Sequence, residues 1–217
     1  MVGKCQLLTR FLLSALLLLS TASAAESSYL QADEIHRLLK NISKPTLTTG
    51  QFEQSKYIKD LSVTLKTSGT YKIYKYNADD FKVIWNIQSP EKMNVCIDTE
   101  RFVFENLATK KKNILKLDEL SQNDSSGLSK LIHLIKLNPK EITTHFNIQK
   151  QTGDLLIIPK QENQFSFLNA VVSLDKLKNL KQMKLKEKSG DQLEMRFLKT
   201  VENKNLSKLE TASKSCD

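Results

Sequence analysis

Thr49-Gly-Gln-Phe-Glu-Gln54, Leu65-Lys-Thr-Ser-Gly-Thr-Tyr-Lys-Ile73, Phe81-Lys-Val-Ile-Trp85 and, after Ser89-Pro90-Glu91, Met93-Asn-Val-Cys-Ile-Asp98 decide how this chain folds. Apolar residues alternate at Val63, Leu65, Tyr71 and Ile73, at Phe81, Val83, Trp85 and Ile87, and at Met93, Val95 and Ile97. A period of two marks strands with one wet face and one dry face. Turn residues divide the segments at Lys59-Asp60, Asn77-Ala-Asp-Asp80 and Ser89-Pro90, so they read as an antiparallel meander.

Outward from this core, Ser28 to Ile42 reads as an amphipathic helix, with Leu30, Ile35, Leu38, Leu39 and Ile42 on one face. Ser28 and Gln31 make a capping-box pair, and Pro45 stops the helix. Two strands follow the meander, Arg101–Asn106 and Asn113–Leu117, separated by the turn Lys110-Lys-Lys112. Apolar residues then return at helical spacing at Leu128, Leu131, Ile132 and Ile135, a second helix closed by Asn138-Pro139. The hairpin of His145–Lys150 and Asp154–Pro159 comes next. After it stand a strand at Phe165–Leu174 and a last hairpin of Leu180–Lys188 and Gln192–Lys199 around Ser189-Gly-Asp191. The fold class is therefore α+β: a curled antiparallel sheet of about eleven strands with helices covering its concave apolar face.

The ends carry their own signals. Lys4 and Arg10 precede or enter an apolar run at Phe11–Leu19, and Ala22-Ser-Ala24 fits a small-x-small cleavage site. Residues 1–24 read as a secretory signal peptide, residues 25–200 as one domain and residues 201–217 as a polar tail. No Cys follows the apolar run, so a soluble exported chain without a lipid anchor is expected. Residues 1–24 hold two basic side chains and no acidic one, so the mature chain keeps +7 of the formal +9. Many lysines stand singly on the polar side of strands, which gives a solvated surface, and export makes nucleic acid a poor partner.

Cys96 and Cys216 remain after the signal is removed. Export permits a disulfide between them, and the sequence leaves open whether it forms. Cys96 alternates against Val95 and Ile97 and so is expected to face away from the apolar side.

No catalytic constellation emerges. His36, His133 and His145 are scattered without carboxylates or thiols at ligand spacing, and there is no H-E-x-x-H, G-x-S-x-G or phosphate-cradling glycine loop. Asp79-Asp80 and Asp118-Glu119 sit in connecting segments, where turn or cap chemistry explains them. Neither an enzyme, a metal site nor a cofactor is expected.

The order of an F-x-Q strand, a Ser/Thr-Gly-x-aromatic strand, an aromatic-x-x-x-Trp strand and an x-Pro-Glu turn resembles the outer-membrane lipoprotein carrier family LolA. Phe146-Asn-Ile-Gln-Lys-Gln-Thr-Gly-Asp154-Leu-Leu-Ile-Ile-Pro159-Lys160 is similar to the same family in position and spacing. The resemblance covers roughly Leu30 to Lys199 and marks a divergent member.

That resemblance implies an incomplete barrel of eleven strands holding a hydrophobic cavity. It also implies transport of acylated lipoprotein or a related lipid across the periplasm, from an inner-membrane ABC transporter to an outer-membrane acceptor. The expected cavity wall and lid are Leu38, Phe52, Leu65, Tyr71, Ile73, Val83, Trp85, Val95, Phe104, Leu131 and Ile135. A cavity that must release its cargo is expected to have mobile walls and no specific polar anchor. Many relatives place an Arg just before the Trp strand to hold the lid shut; here that region is Tyr76-Asn-Ala-Asp-Asp80. The alternative is an envelope domain of the same fold that senses lipids or lipoproteins and transports nothing.

Overall fold

A computed structural model describes residues 29–42, 46–77, 80–117, 139–162, 165–176, 179–203 and 216. The first helix, α1, is Ala32–Ile42. Six strands follow: β1 Thr46–Ile58, β2 Val63–Lys75, β3 Phe81–Ser89, β4 Met93–Ile97, β5 Arg101–Asn106 and β6 Lys111–Lys116. A short helix α2, Pro139–His145, leads to β7 Phe146–Gln151, β8 Asp154–Pro159, β9 Phe167–Leu174, β10 Leu180–Glu187 and β11 Gln192–Asn203.

The eleven strands form one sheet in the order β6-β5-β4-β3-β2-β1-β11-β10-β9-β8-β7, every pair antiparallel. The sheet curls but does not close, because β6 and β7 are its two edges. The meander therefore forms one half, the later strands form the other, and β1 against β11 is the seam. At that seam the register shifts between Thr49 and Gln51, and Lys199 takes a φ of 50°. The bulge turns Thr200 to the same face as Phe197, where its Oγ1 meets the Tyr71 hydroxyl at 2.8 Å.

Several sequence expectations need correcting. The first helix starts at Ala32 rather than Ser28, which lies outside the described residues. Tyr29 instead bridges to Gln149 of β7, and the Leu30 amide donates to the Ile148 carbonyl at 2.7 Å. Gln31 takes the cap position: its amide donates to Glu34 Oε2, and its carbonyl accepts from the Glu34 and Ile35 amides. The pair that staples the helix is thus Gln31 with Glu34, three residues apart. Pro139 opens α2, since a missing N–H costs nothing at a first helical position, and the helix it was expected to close lies outside the described residues. Lys111 and Lys112 belong to β6, leaving Lys110 in the turn with φ 54°. β11 continues to Asn203, past the expected start of the tail at 201. The helix expected at 128–137, with Leu131 and Ile135, lies outside the described residues, as do residues 1–28.

The apolar face of the sheet is filled unevenly. Over β7–β11 it carries a dry core of Phe146, Ile148, Ile157, Phe167, Ala170, Leu185 and Leu193, joined by Ile35 of α1 and Ile142 of α2. Phe165 lies 4.6 Å from Phe146 and 5.5 Å from Phe167 between ring centroids, so aromatic packing occupies this half. At the seam, Phe52, Tyr71, Met195 and Phe197 form a second buried cluster. Phe81, Val83, Ile97 and Phe102 form a third over the meander.

On the opposite face, Cys96 bonds to Cys216 across a sequence separation of 120, with Cα atoms 5.8 Å apart. Cys216 is buried, and its amide donates to Asp98 Oδ2 at 2.7 Å. Asp98 Oδ1 accepts from the Glu100 and Arg101 amides at 2.9 and 2.7 Å. One carboxylate thus closes the β4–β5 turn and holds the end of the chain.

A half-open apolar wall and its relatives

Register places one continuous rung across the meander: Tyr71 of β2, Trp85 of β3, Val95 of β4 and Phe104 of β5. The neighbouring rung is Ile73, Val83, Ile97 and Phe102. Side chains two apart on a strand share a face, so these rungs line one wall. Their burial differs. Val83 and Ile97 are sealed at 0 and 1% exposure. Ile73, Trp85, Val95 and Phe104 are half-buried and pack against the third cluster from its edge, together with Leu117. The wall is therefore floored by dense core and presents an incompletely covered strip of large apolar side chains.

Two polar groups interrupt it. Lys75 stands opposite Phe81 at the end of β2, two residues along from Ile73 on the same face. It is 7% exposed, and its Nζ has no hydrogen-bond partner among the described residues. Burial pushes its ammonium down from 10.5 to about 8. The indole Nε1 of Trp85 is likewise buried and unpartnered. Tyr71, by contrast, is satisfied: its hydroxyl is bonded to Thr200, and Phe197 meets its ring edge-on at 5.3 Å. Burial raises the Tyr71 phenol above its ordinary value, and the Thr200 bond opposes that shift.

Pockets of about 460 and 440 Å³ open elsewhere. One is lined by Thr99, Glu100, Arg101, Lys116 and Leu117, the other chiefly by polar side chains of β1, β2 and β11. Neither includes the aromatic side chains of the wall. Among the described residues no group of three His, Cys, Asp or Glu could hold a metal ion, and no helix is long and apolar enough to cross a membrane.

The family model described as "Outer membrane lipoprotein carrier protein LolA" matches residues 43–210, the whole of the sheet and the segment between its halves. The chain belongs to the LolA family. No curated protein matches it. Among solved structures, a DUF1329 family protein from Desulfovibrio piger is similar at 11% identity and a TM-score of 0.49, covering 83% of this chain and 95% of that one. An outer membrane lipoprotein-sorting protein domain from Vibrio parahaemolyticus is similar at 10% identity and a TM-score of 0.45, covering 81% and 95%. The Pseudomonas aeruginosa MucA/MucB complex contains a chain similar at 12% identity and a TM-score of 0.43, covering 84% of this chain and 61% of that one.

In this LolA-family chain the residues expected to line a cavity divide into groups. Ile73, Trp85, Val95 and Phe104 form the half-buried wall. Phe52, Tyr71 and Val83 are buried in core clusters. Leu38 is half-buried on α1. Leu65 is 54% exposed. β3 stops pairing at Ser68, so the Leu65 end of β2 projects beyond the wall with only β1 beside it. Leu131 and Ile135 lie outside the described residues.

Sequence reasoning passed over Lys75. It placed many lysines, such as Lys66, Lys72 and Lys82, on the polar side of strands and did not single out Lys75, which continues the phase of Tyr71 and Ile73 and so falls on the apolar face. The region before the Trp strand has no Arg, and a buried Lys stands at the end of β2.

Proposed function

We propose that this protein is an exported, periplasmic carrier that takes the acyl chains of lipoproteins, or of a related lipid, onto its apolar wall. It receives them from an inner-membrane ABC transporter and passes them towards an outer-membrane acceptor. One observation supports this reading above the others: four large apolar side chains in adjoining rungs of β2–β5, Ile73, Trp85, Val95 and Phe104, are only half-covered, whereas the core over β7–β11 leaves Leu155 and Val172 half-covered on its strands. Trp85, the largest aromatic of the sheet, packs against both the meander cluster and the seam cluster and is still only half-buried.

Magnitudes fit incomplete burial. At ~0.8 kcal/mol per buried methylene, one sixteen-carbon chain is worth roughly 12 kcal/mol. Three fully buried chains would exceed the ceiling of about 20 kcal/mol for non-covalent affinity. A carrier that buried them completely would never release them. A partly open wall, with release driven by better burial in the acceptor, avoids that trap and requires no bound nucleotide and no chemistry.

The test is transfer between two vesicle populations. Donor vesicles carry a fluorescent triacylated peptide, and its arrival in acceptor vesicles is timed with and without the protein. Acceleration proportional to protein concentration supports a carrier. Saturable binding without any acceleration contradicts it and favours an envelope-sensing domain of the same fold.

A further inference from the structure

The two unpartnered donors on the wall have no role in a purely apolar carrier. Lys75 Nζ and Trp85 Nε1 are both out of water, and neither has an acceptor among the described residues. A buried donor without an acceptor forfeits its full hydration, and an ammonium forfeits the most, so natural folds seldom keep one without a use. The two residues share a face and a wall. Lys75 is level with Phe81, Trp85 with Tyr71, four residues along the same strand pair, or about 13 Å between their levels. The rung of Ile73 and Val83 stands between the two levels, so an end group that meets both donors lies over that rung, with the lysine stem and the indole leaning towards each other along the strands.

Replacement by an apolar residue would be the simple way to fill the place of Lys75. Its neighbours across the ladder and along the strand, Phe81, Ile73 and Val83, show that this face otherwise takes large apolar side chains. What the pair offers is one positive charge and one neutral N–H, with no acceptor of its own. The complement is a group that carries negative charge and accepts hydrogen bonds.

We infer that Lys75 and Trp85 form a buried anchor for an anionic group, a carboxylate or a phosphate, at the polar end of an acyl cargo. The ammonium of Lys75 takes the charge, and the indole N–H of Trp85 donates to an oxygen of the same end group. The chains then lie along Val95 and Phe104. This inference rests on the acyl-carrier reading and names the chemical class of the cargo. It also departs from the expectation of a wall without a polar anchor. A charge-assisted hydrogen bond is small beside a buried chain, so the anchor selects cargo without preventing its release.

Trp85 is the sole tryptophan of the chain, so its emission reports the site directly. The purified protein is titrated with dodecanoate, dodecyl phosphate, dodecanol and dodecyltrimethylammonium, each below its critical micelle concentration, and the affinities are repeated by calorimetry. The anionic probes are expected to bind about tenfold tighter than dodecanol, or more, with dodecyltrimethylammonium weakest. Lys75→Met should level the anions with dodecanol, and Lys75→Arg should keep the preference. The tighter of dodecanoate and dodecyl phosphate identifies the end group.

Equal affinities for the anions and dodecanol in the unaltered protein would overturn the anchor and leave the carrier reading standing. The same ranking persisting in Lys75→Met would overturn it as well. If no probe binds, dodecanol included, the carrier reading falls and takes the anchor with it.

Discussion

Gly50 lies directly beneath the ring of Tyr71: a Cβ built on Gly50 would stand 2.8 Å from both the Cε1 and the hydroxyl of that tyrosine. It would stand equally close to the Leu198 carbonyl. Tyr71 in turn is the buried hub of the seam, bonded to Thr200 and edge-on to Phe197. The missing side chain at Gly50 is therefore what lets the tyrosine lie flat across β1. Gly50→Ala should cost about 1–3 kcal/mol, because neither the ring nor the backbone carbonyl can step aside freely. Urea unfolding would measure it. An unchanged midpoint would mean that the seam repacks more easily than this geometry allows.

Tyr71→Phe isolates the hydroxyl. It removes the bond to Thr200 and leaves one buried oxygen to find another partner, at a cost of about 1 kcal/mol. Thr200→Val should cost a similar amount, and the double variant should cost less than the two together. Strict additivity in that cycle would show that the pair is not coupled.

Lys75 gives a prediction with a definite sign. Its folded pKa lies near 8 and its ordinary value is 10.5. Below pH 8 both folded and unfolded chains hold the proton, so the whole burial penalty is present. Between pH 8 and 10.5 the folded chain sheds the proton first, and stability contributed by this group rises with pH. Lys75→Met should therefore stabilise the unliganded protein by about 1–3 kcal/mol at pH 7, with a gain that shrinks as pH rises above 8. Thermal unfolding at pH 7 and pH 9.5 checks both parts. A destabilised variant at pH 7 would mean that the ammonium has a partner in the folded chain.

The disulfide closes a loop of about 120 residues that includes β5 to β11. On the chain-entropy account its loss costs about 4–5 kcal/mol. Cys96→Ser with Cys216→Ser should show that loss. Asp98→Ala should weaken the same corner as well, since its carboxylate accepts three backbone N–H groups, that of Cys216 among them. Comparing the oxidised and reduced protein by calorimetry separates the two contributions; identical unfolding temperatures would remove the tail from the stability account.

Much of the sheet was legible because period-two alternation is a strong signal. Val83, Trp85, Val95 and Ile97 fell on one face as their spacing required. Helix boundaries were harder: Ser28-x-x-Gln31 fits a capping box, yet the β-bridge of Tyr29 to Gln149, a contact over a hundred residues away, moves the start of the helix to Gln31 and Glu34. The bulge at Thr49 and Lys199 was not legible either, since it arises from pairing between the first and last strands. Candidate wall residues could be placed on the right face but not graded. Phe52 and Val83 are core while Trp85 and Phe104 are margin, and that difference depends on what packs above each rung. Lys75 was missed because composition suggested surface, although its phase along β2 pointed inwards.

Native mass spectrometry of the protein purified from its own envelope, with bound lipid extracted and identified, tests the carrier reading most directly. The account predicts a stoichiometric acylated ligand, lipoprotein or lipid, that is lost when Trp85 and Phe104 are both replaced by Glu in a protein that still folds. An empty protein that also takes up no hydrophobic dye would contradict it, and the wall would then be the edge of an ordinary core.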